Sequence, residues 1–400
     1  MSGEHRRVEL IYKGFGAASG FVMACYGIAV TVAWVTQAGL GPVQLILLGS
    51  VLEASVVLGE VPTGVVADTI SRKWSIVVSY LMVGIGVTMN VSDTYVVLLV
   101  SQAVWGIGHT FQSGATTAWV TDELGRDVDD LIIGQARWRQ AGLIFGIIAG
   151  VGIGVWSLDV AIATAGAVAI VVALVLAVVM PETGFAPTPR EDRSTWSSMV
   201  STAVAGAQVL RGYQITRLVI IAALIGGFAS EVVDRLMVLR LIDVGIPRFE
   251  PVVVVGALLL VGRVVVWLVL GRLESRLDTS SDASSARLVA VSYAVVSAGV
   301  LSLALGPIFA LAAAGQLLQA TSRQIVEPIE AAIINRKATS QHRATILSFH
   351  GQADAVGQVT GGVSMALVAY LTTVSIAMSV GATLFLAAGL VVSVGFARQK

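Results

Sequence analysis

Charge is scarce in this chain. Asp, Glu, Lys and Arg make up 12% of its 400 residues, about half the share usual in a soluble protein. With a mean hydropathy of +0.85, so little charge could not cover the surface of a water-soluble fold. An ordinary cytosolic enzyme, a nucleic-acid binder and a disordered chain are therefore excluded. Neither sign is in excess, with 25 basic and 25 acidic residues, so net charge selects no partner. Cysteine is nearly absent. Cys25, the single one, can make neither an internal disulfide nor a cysteine-ligated metal site and is expected to be a small packing residue. No Walker loop is present, so ATP is not expected as the driver. Gly106-Ile-Gly108 lies mid-span, without the strand or third glycine of a dinucleotide fingerprint. Asp127, Asp129 and Asp130 lie close together with no His partner and read as a solvated face. No nucleophile stands beside a base. Neither enzyme activity nor a cofactor or metal is expected, and neither a cleavable signal peptide nor a lipid anchor.

Long apolar runs dominate instead. A spanning helix needs about 20 mostly apolar residues, and twelve segments meet that measure: 14–37, 43–67, 74–91, 95–121, 138–157, 159–180, 216–240, 250–273, 287–305, 307–334, 344–370 and 373–396. Val160 to Met180 shows no alternation, which argues against the short strands of a barrel. With the N-terminus in the cytoplasm, twenty Lys and Arg fall inside and two, Arg240 and Arg248, fall outside. That asymmetry places both termini in the cytoplasm of a cell (inner) membrane. Trp34, Trp74, Trp119, Trp138 and Trp156 lie near span ends, as in aromatic belts. The longest polar stretch, 182–214, divides the chain into six-helix halves at 1–181 and 215–400. Within it Trp196, Met199, Val200, Ala203, Val204, Ala207 and Leu210 recur at helical spacing, consistent with an amphipathic helix on the inner membrane face.

Between the second and third spans the chain reads Gly64-Val-Val-Ala-Asp68-Thr-Ile-Ser71-Arg72-Lys73. Gly64 would allow close helix approach, Asp68 would bond a neighbouring helix, and Arg72 and Lys73 would face the anionic cytoplasmic leaflet. This G-x-x-x-D-x-x-x-R-K loop resembles the signature loop of the major facilitator superfamily, with Ser71 where that family usually has Gly. Glu60-Val-Pro62-Thr63-Gly64, Ser113-Gly114, Asp122-Glu123 and Pro181-Glu182-Thr183 resemble its bacterial drug-efflux branch, the drug:proton antiporters. The resemblance implies an all-α membrane protein of twelve transmembrane helices in two pseudo-symmetric six-helix bundles. Gly142, Gly146 and Gly150 on the fifth span, with Gly152 and Gly154 nearby, give a smooth small-residue face, but Ile147 stands where antiporters carry proline. Gly357, Gly361 and Gly362 match that face in the second half and indicate an internal repeat.

Charges within the spans are seven acids (Glu53, Glu60, Glu231, Asp234, Glu327, Glu330, Asp354) and three bases (Arg235, Arg263, Arg323). Unpaired at the bilayer centre they would cost on the order of 30 kcal/mol together, so they must pair, line a wet cavity or carry protons. Spacing pairs Glu231 with Arg235 and Arg323 with Glu327, and leaves Arg263 for an acid on another helix. Depth selects Asp354, Glu53 and Glu231 as proton carriers. Glu60, eight residues before Asp68, reads with Gly64, Asp68, Arg72 and Lys73 as a cytoplasmic gate. His109 and His350 are possible relays. Trp105, His109 and Gln112 share one helical face. By the resemblance they, with Tyr26, Gln316 and Gln319, would line a substrate cavity. The expected function is proton-coupled, alternating-access export of small amphipathic compounds, with a cationic charge suggested by the surplus of acids. Proton symport for uptake is the alternative, and a transporter-like sensor the third. Its expected partners are a small molecule, protons and lipid, with no nucleic acid, and the chain is expected to act as a monomer.

Overall fold

The computed structural model describes residues 3–126, 128–187, 214–274, 282–337 and 340–397. Every regular element among them is helical: α1 (Gly3–Thr36), α2 (Pro42–Thr69), α3 (Arg72–Met89), α4 (Tyr95–Thr110), α5 (Ala115–Leu124), α6 (Asp129–Gly154), α7 (Leu158–Val179), α8 (Gln214–Asp243), α9 (Pro251–Glu274), α10 (Asp282–Leu305), α11 (Phe309–Lys337), α12 (Ser340–Leu371) and α13 (Val374–Ala397). By length and composition α1, α2, α7, α8, α10 and α13 are each able to cross a membrane. The more polar α11 and α12 are outside that set. The amphipathic helix expected around Trp196 to Leu210 lies outside the described residues.

One expected span is not a single helix. Segment 95–121 is split into α4 and α5, with Gly114 between them at φ +73°. That left-handed conformation is available to glycine without strain, and it interrupts the ladder. Ser75 Oγ donates to the Phe111 carbonyl at 2.7 Å, satisfying an acceptor left at the end of α4.

Two compact units emerge, Met1–Leu40 with Val51–Met199, and Gly41–Ser50 with Val200–Lys400. The first turns of α2 thus group with the second unit. In unit 1 the principal packed pairs are α1 with α6, α3 with α7, α3 with α4, and α1 with α7. In unit 2 they are α8 with α12, α10 with α13, α10 with α11, and α8 with α13. Counting α4 and α5 as one span, these are the same pairings in the same order. The two units are copies of one six-span plan.

Glycine makes the tightest of these contacts. A methyl added to Gly146 of α6 would stand 2.5 Å from the Phe21 carbonyl of α1, and one on Gly142 would strike Ala17. In unit 2, Gly357 and Gly361 of α12 lie equally close to Leu224 and Phe228 of α8. The fifth-span glycine face is thus a packing surface. Gly64 is not: nothing described lies within 4 Å of its would-be side chain. Helix α2 instead approaches its neighbour at Gly59, where an added methyl would stand 2.8 Å from Thr110 Oγ1. The tryptophans also divide. Trp74, Trp138 and Trp156 are exposed, as a belt requires, whereas Trp34 and Trp119 are core residues, donating to Asn90 Oδ1 at 3.2 Å and to the Pro181 carbonyl at 2.8 Å.

Candidate functional site

A cavity of about 200 Å³ opens within unit 2 among α8, α10, α11 and α12. That volume admits several waters. Helical period puts its polar groups on facing stripes. Arg323, Glu327 and Glu330 follow each other at i, i+4 and i+7 on α11, and His350 and Asp354 at i and i+4 on α12. Glu330 is buried and doubly held. Its Oε1 accepts from the Tyr293 hydroxyl at 3.0 Å, and its Oε2 lies 2.9 Å from His350 Nε2. A carboxylate and an imidazole at that distance can pass a proton between them. Asp354 Oδ2 accepts from Gln358 Nε2 at 2.7 Å. Its backbone lies against Gly227, which lets α8 and α12 approach.

Arg323 does not pair with Glu327. Its Nη1 donates to Asp234 Oδ1 at 2.6 Å, and the guanidinium lies over the Phe385 ring. The side chain leaves its own helix for α8, and Glu327 stays exposed on the cavity wall. The Glu231–Arg235 pair does form, at 2.8 Å, with the Glu231 side chain 3% exposed. Arg263 donates to Gln324 Oε1 at 3.5 Å and lines a second, smaller cavity of unit 2 with Gln316. Gln319 donates to Gln316 at 2.8 Å and is buried against Gly299. It therefore packs between α10 and α11 rather than facing a cavity.

Unit 1 has its own cavity, lined by Tyr26, Tyr80, Trp105, His109, Gln112 and Arg139 together with smaller side chains. Tyr26 and Trp105 meet edge to face, 5.2 Å between centroids at 80°. Gln112 Nε2 is 3.4 Å from His109 Nδ1. Four of the expected substrate residues are thus together. Glu53 is half-buried on α2 and belongs to neither cavity lining.

The signature loop is the hub of a third polar cluster, also in unit 1. Arg72 is ion-paired with Asp122 of α5, lies 3.7 Å from Asp68, donates to the Ala118 carbonyl at 3.3 Å and sits over the Phe185 ring. Its side chain is 15% exposed, so it is turned into the protein and not to the lipid headgroups. Ser71 Oγ donates to Glu182 Oε2 at 2.6 Å, and the Lys73 backbone N–H donates to Glu182 Oε1 at 2.8 Å. Lys73 Nζ lies over the Trp74 ring. Glu123 accepts from the backbone of Thr183 and Gly184 at 2.7 Å each. Glu60, expected here, instead accepts from Ser113 Oγ at 2.8 Å, at the break between α4 and α5.

A profile of the Major Facilitator Superfamily matches residues 15–281. The chain belongs to the major facilitator superfamily. Solved structures agree in fold. The nucleoside transporter NupG has 12% identity, a TM-score of 0.75, and 97% of this chain aligned to 99% of that one. An auto-inhibited POT family peptide transporter has 13% identity and a TM-score of 0.72, over 98% of this chain and 97% of that one. A bacterial homolog of the human lysosomal transporter Spinster, in an inward-facing and occupied conformation, has 13% identity and a TM-score of 0.69, over 99% and 96%. No curated protein matches the sequence. As a superfamily member the chain is a multi-pass membrane transporter for a small-molecule substrate, not an enzyme. Sequence reasoning missed Tyr293 and Arg139 as cavity residues, and Gln358 as the partner of Asp354. Tyr293 is 37 residues from Glu330, so no local spacing could join them. Arg139 carried a usable signal as a base only two residues from Arg137, on the same helix as the glycine face.

Proposed function

We propose that this superfamily member is a proton-coupled secondary transporter that exports small amphipathic compounds by alternating access. One observation carries the reading. A cavity in unit 2 large enough for several waters holds Asp354, midway along α12, together with the Tyr293–Glu330–His350 chain. Such groups at membrane depth are expensive, and where they line a cavity they mark ion and proton pathways. Asp354 and the Glu330–His350 pair are the proton carriers. Glu231 is held by Arg235 and serves as structural charge, while Glu53 is a second candidate on α2. The proton gradient and membrane potential supply the energy, about 2.3 kcal/mol per charge per 100 mV. The protein works as a monomer in the inner membrane with both termini in the cytoplasm. Nucleoside and peptide transporters share its fold, which gives the fold no single substrate.

In proteoliposomes loaded with a pH-sensitive dye, a panel of lipophilic cations, antibiotics, sugars and organic acids should include a compound that drives proton flux. Asp354→Asn should abolish that flux while the protein still purifies as a folded species. Unchanged flux would remove Asp354 from the mechanism. Proton-driven uptake is the second reading, favoured by Ile147, buried where the antiporter stretch carries proline. Everted vesicles separate the two: accumulation of the compound supports export, and its absence there with uptake in intact cells supports symport.

A further inference from the structure

We infer that the unit 1 cavity recognises an aromatic ring bearing an anionic group, a carboxylate for preference, with Arg139 as the charge partner and Trp105 with Tyr26 as the ring wall. The inference rests on the transport reading and specifies its substrate class.

The wall is rigid. Tyr26 is 2% exposed, and its hydroxyl takes a 3.4 Å contact from Gln102 Nε2, which also reaches Asn90 Oδ1. Trp105 is fixed from behind by Gly86 of α3, where an added methyl would stand 2.9 Å from the Trp105 backbone nitrogen. Two rings already set edge to face on the cavity wall offer aromatic surface to a third ring. Arg139 is positioned as firmly at its backbone, because its carbonyl lies against Gly20 in the tight α1–α6 contact. It is near enough to act electrostatically on both Tyr80 and His109.

Charge decides the rest. Arg72, Arg126, Arg235 and Arg323 each have a carboxylate partner. Arg139 has none among the described residues, and no Asp or Glu lines this cavity. An arginine on the wall of a cavity that also holds two aromatic rings, with His109 and Gln112 as further hydrogen-bonding groups, can take a carboxylate in a charge-assisted fork. Most of the acids that suggested a cationic substrate are engaged elsewhere. Asp234 and Glu231 hold arginines, Glu330 holds His350 and Tyr293, and Asp354 holds Gln358.

The test uses the full-length protein in phosphatidylcholine nanodiscs, with no pH gradient, and two probes of one shape: naphthylacetate and its uncharged amide. The acid should bind at least tenfold tighter than the amide. Arg139→Gln should erase that difference, Arg139→Lys should keep part of it, and Trp105→Ala should weaken both probes alike. Equal binding of the two probes to the unaltered protein overturns the proposal without recourse to any variant. So does a preference that survives Arg139→Gln, or binding of neither probe. An anionic lipid headgroup could satisfy the same guanidinium, so the measurement is repeated with phosphatidylglycerol added. Loss of the acid preference there assigns Arg139 to lipid and overturns the proposal; its persistence supports a soluble ligand. Binding is read without a gradient, so a failure of proton coupling at Asp354 leaves this result untouched, and the converse holds.

Discussion

Ser71 shows how one departure from a pattern can be explained by what the side chain touches. The resembled signature has glycine there, yet Ser71 has φ −173°, extended backbone open to any residue. Its hydroxyl accepts from the Trp74 backbone N–H at 3.0 Å, capping α3, and donates to Glu182. Ser71→Gly loses the side-chain cap and the Glu182 bond together, and should cost about 1 kcal/mol, read as a lower Tm of the purified protein. In a Glu182→Gln background the same change should cost less than it does alone, because the two residues share a contact. Additive effects would mean that the hydroxyl and carboxylate act independently. The motif itself was legible because its spacing is local. The burial of Arg72 was not, because its partner Asp122 lies 50 residues away, and a basic pair on a short loop reads by default as facing lipid headgroups.

At the scale of elements, the glycine spacing on α6 foretold a smooth face, and the structure supplies what it touches. Gly146 and Gly152 share one helix but differ in surroundings, since Gly146 abuts α1, whereas a methyl added at Gly152 would meet no described neighbouring element within 4 Å. Gly146→Leu should therefore cost at least 1–3 kcal/mol and sharply reduce the yield of monodisperse protein. Gly152→Leu should be nearly neutral in the same size-exclusion and thermal-shift measurements. Equal losses would mean that helix propensity, not close approach, sets the outcome. The break between α4 and α5 escaped sequence reading for a physical reason. Hydropathy averages over about 19 residues, and a single left-handed glycine inside an apolar run leaves that average unchanged. One of the two spaced ion pairs failed in the same direction: helical spacing offered Glu327 to Arg323, but Asp234 on another helix takes it, whereas Glu231 and Arg235 pair as spaced.

Across the whole molecule, the count of spans, the two-fold repetition and the family were legible because lipid permits few backbone solutions and because the signature loop is local in sequence. The cavity partners were not legible, since they are assembled from four helices of unit 2 that only tertiary packing brings together. Orientation can be tested directly. Cys25 is fully buried and the single cysteine, so Cys25→Ser gives a clean background. A cysteine at Asp93 should react with an impermeant maleimide in intact cells, and one at Ala186 only after permeabilisation. The reverse pattern would invert the topology. The hold on the chain just beyond α7 bears on protein engineering. Glu182 is tied to Ser71 and Lys73, Thr183 and Gly184 to Glu123, and Phe185 to Arg72. The tether between the halves is therefore pegged at Phe185 and not at the last turn of α7, and a reporter domain or affinity tag spliced between Met180 and Phe185 would pull out that peg, whereas the same insert placed after Pro187 would leave it in the ground.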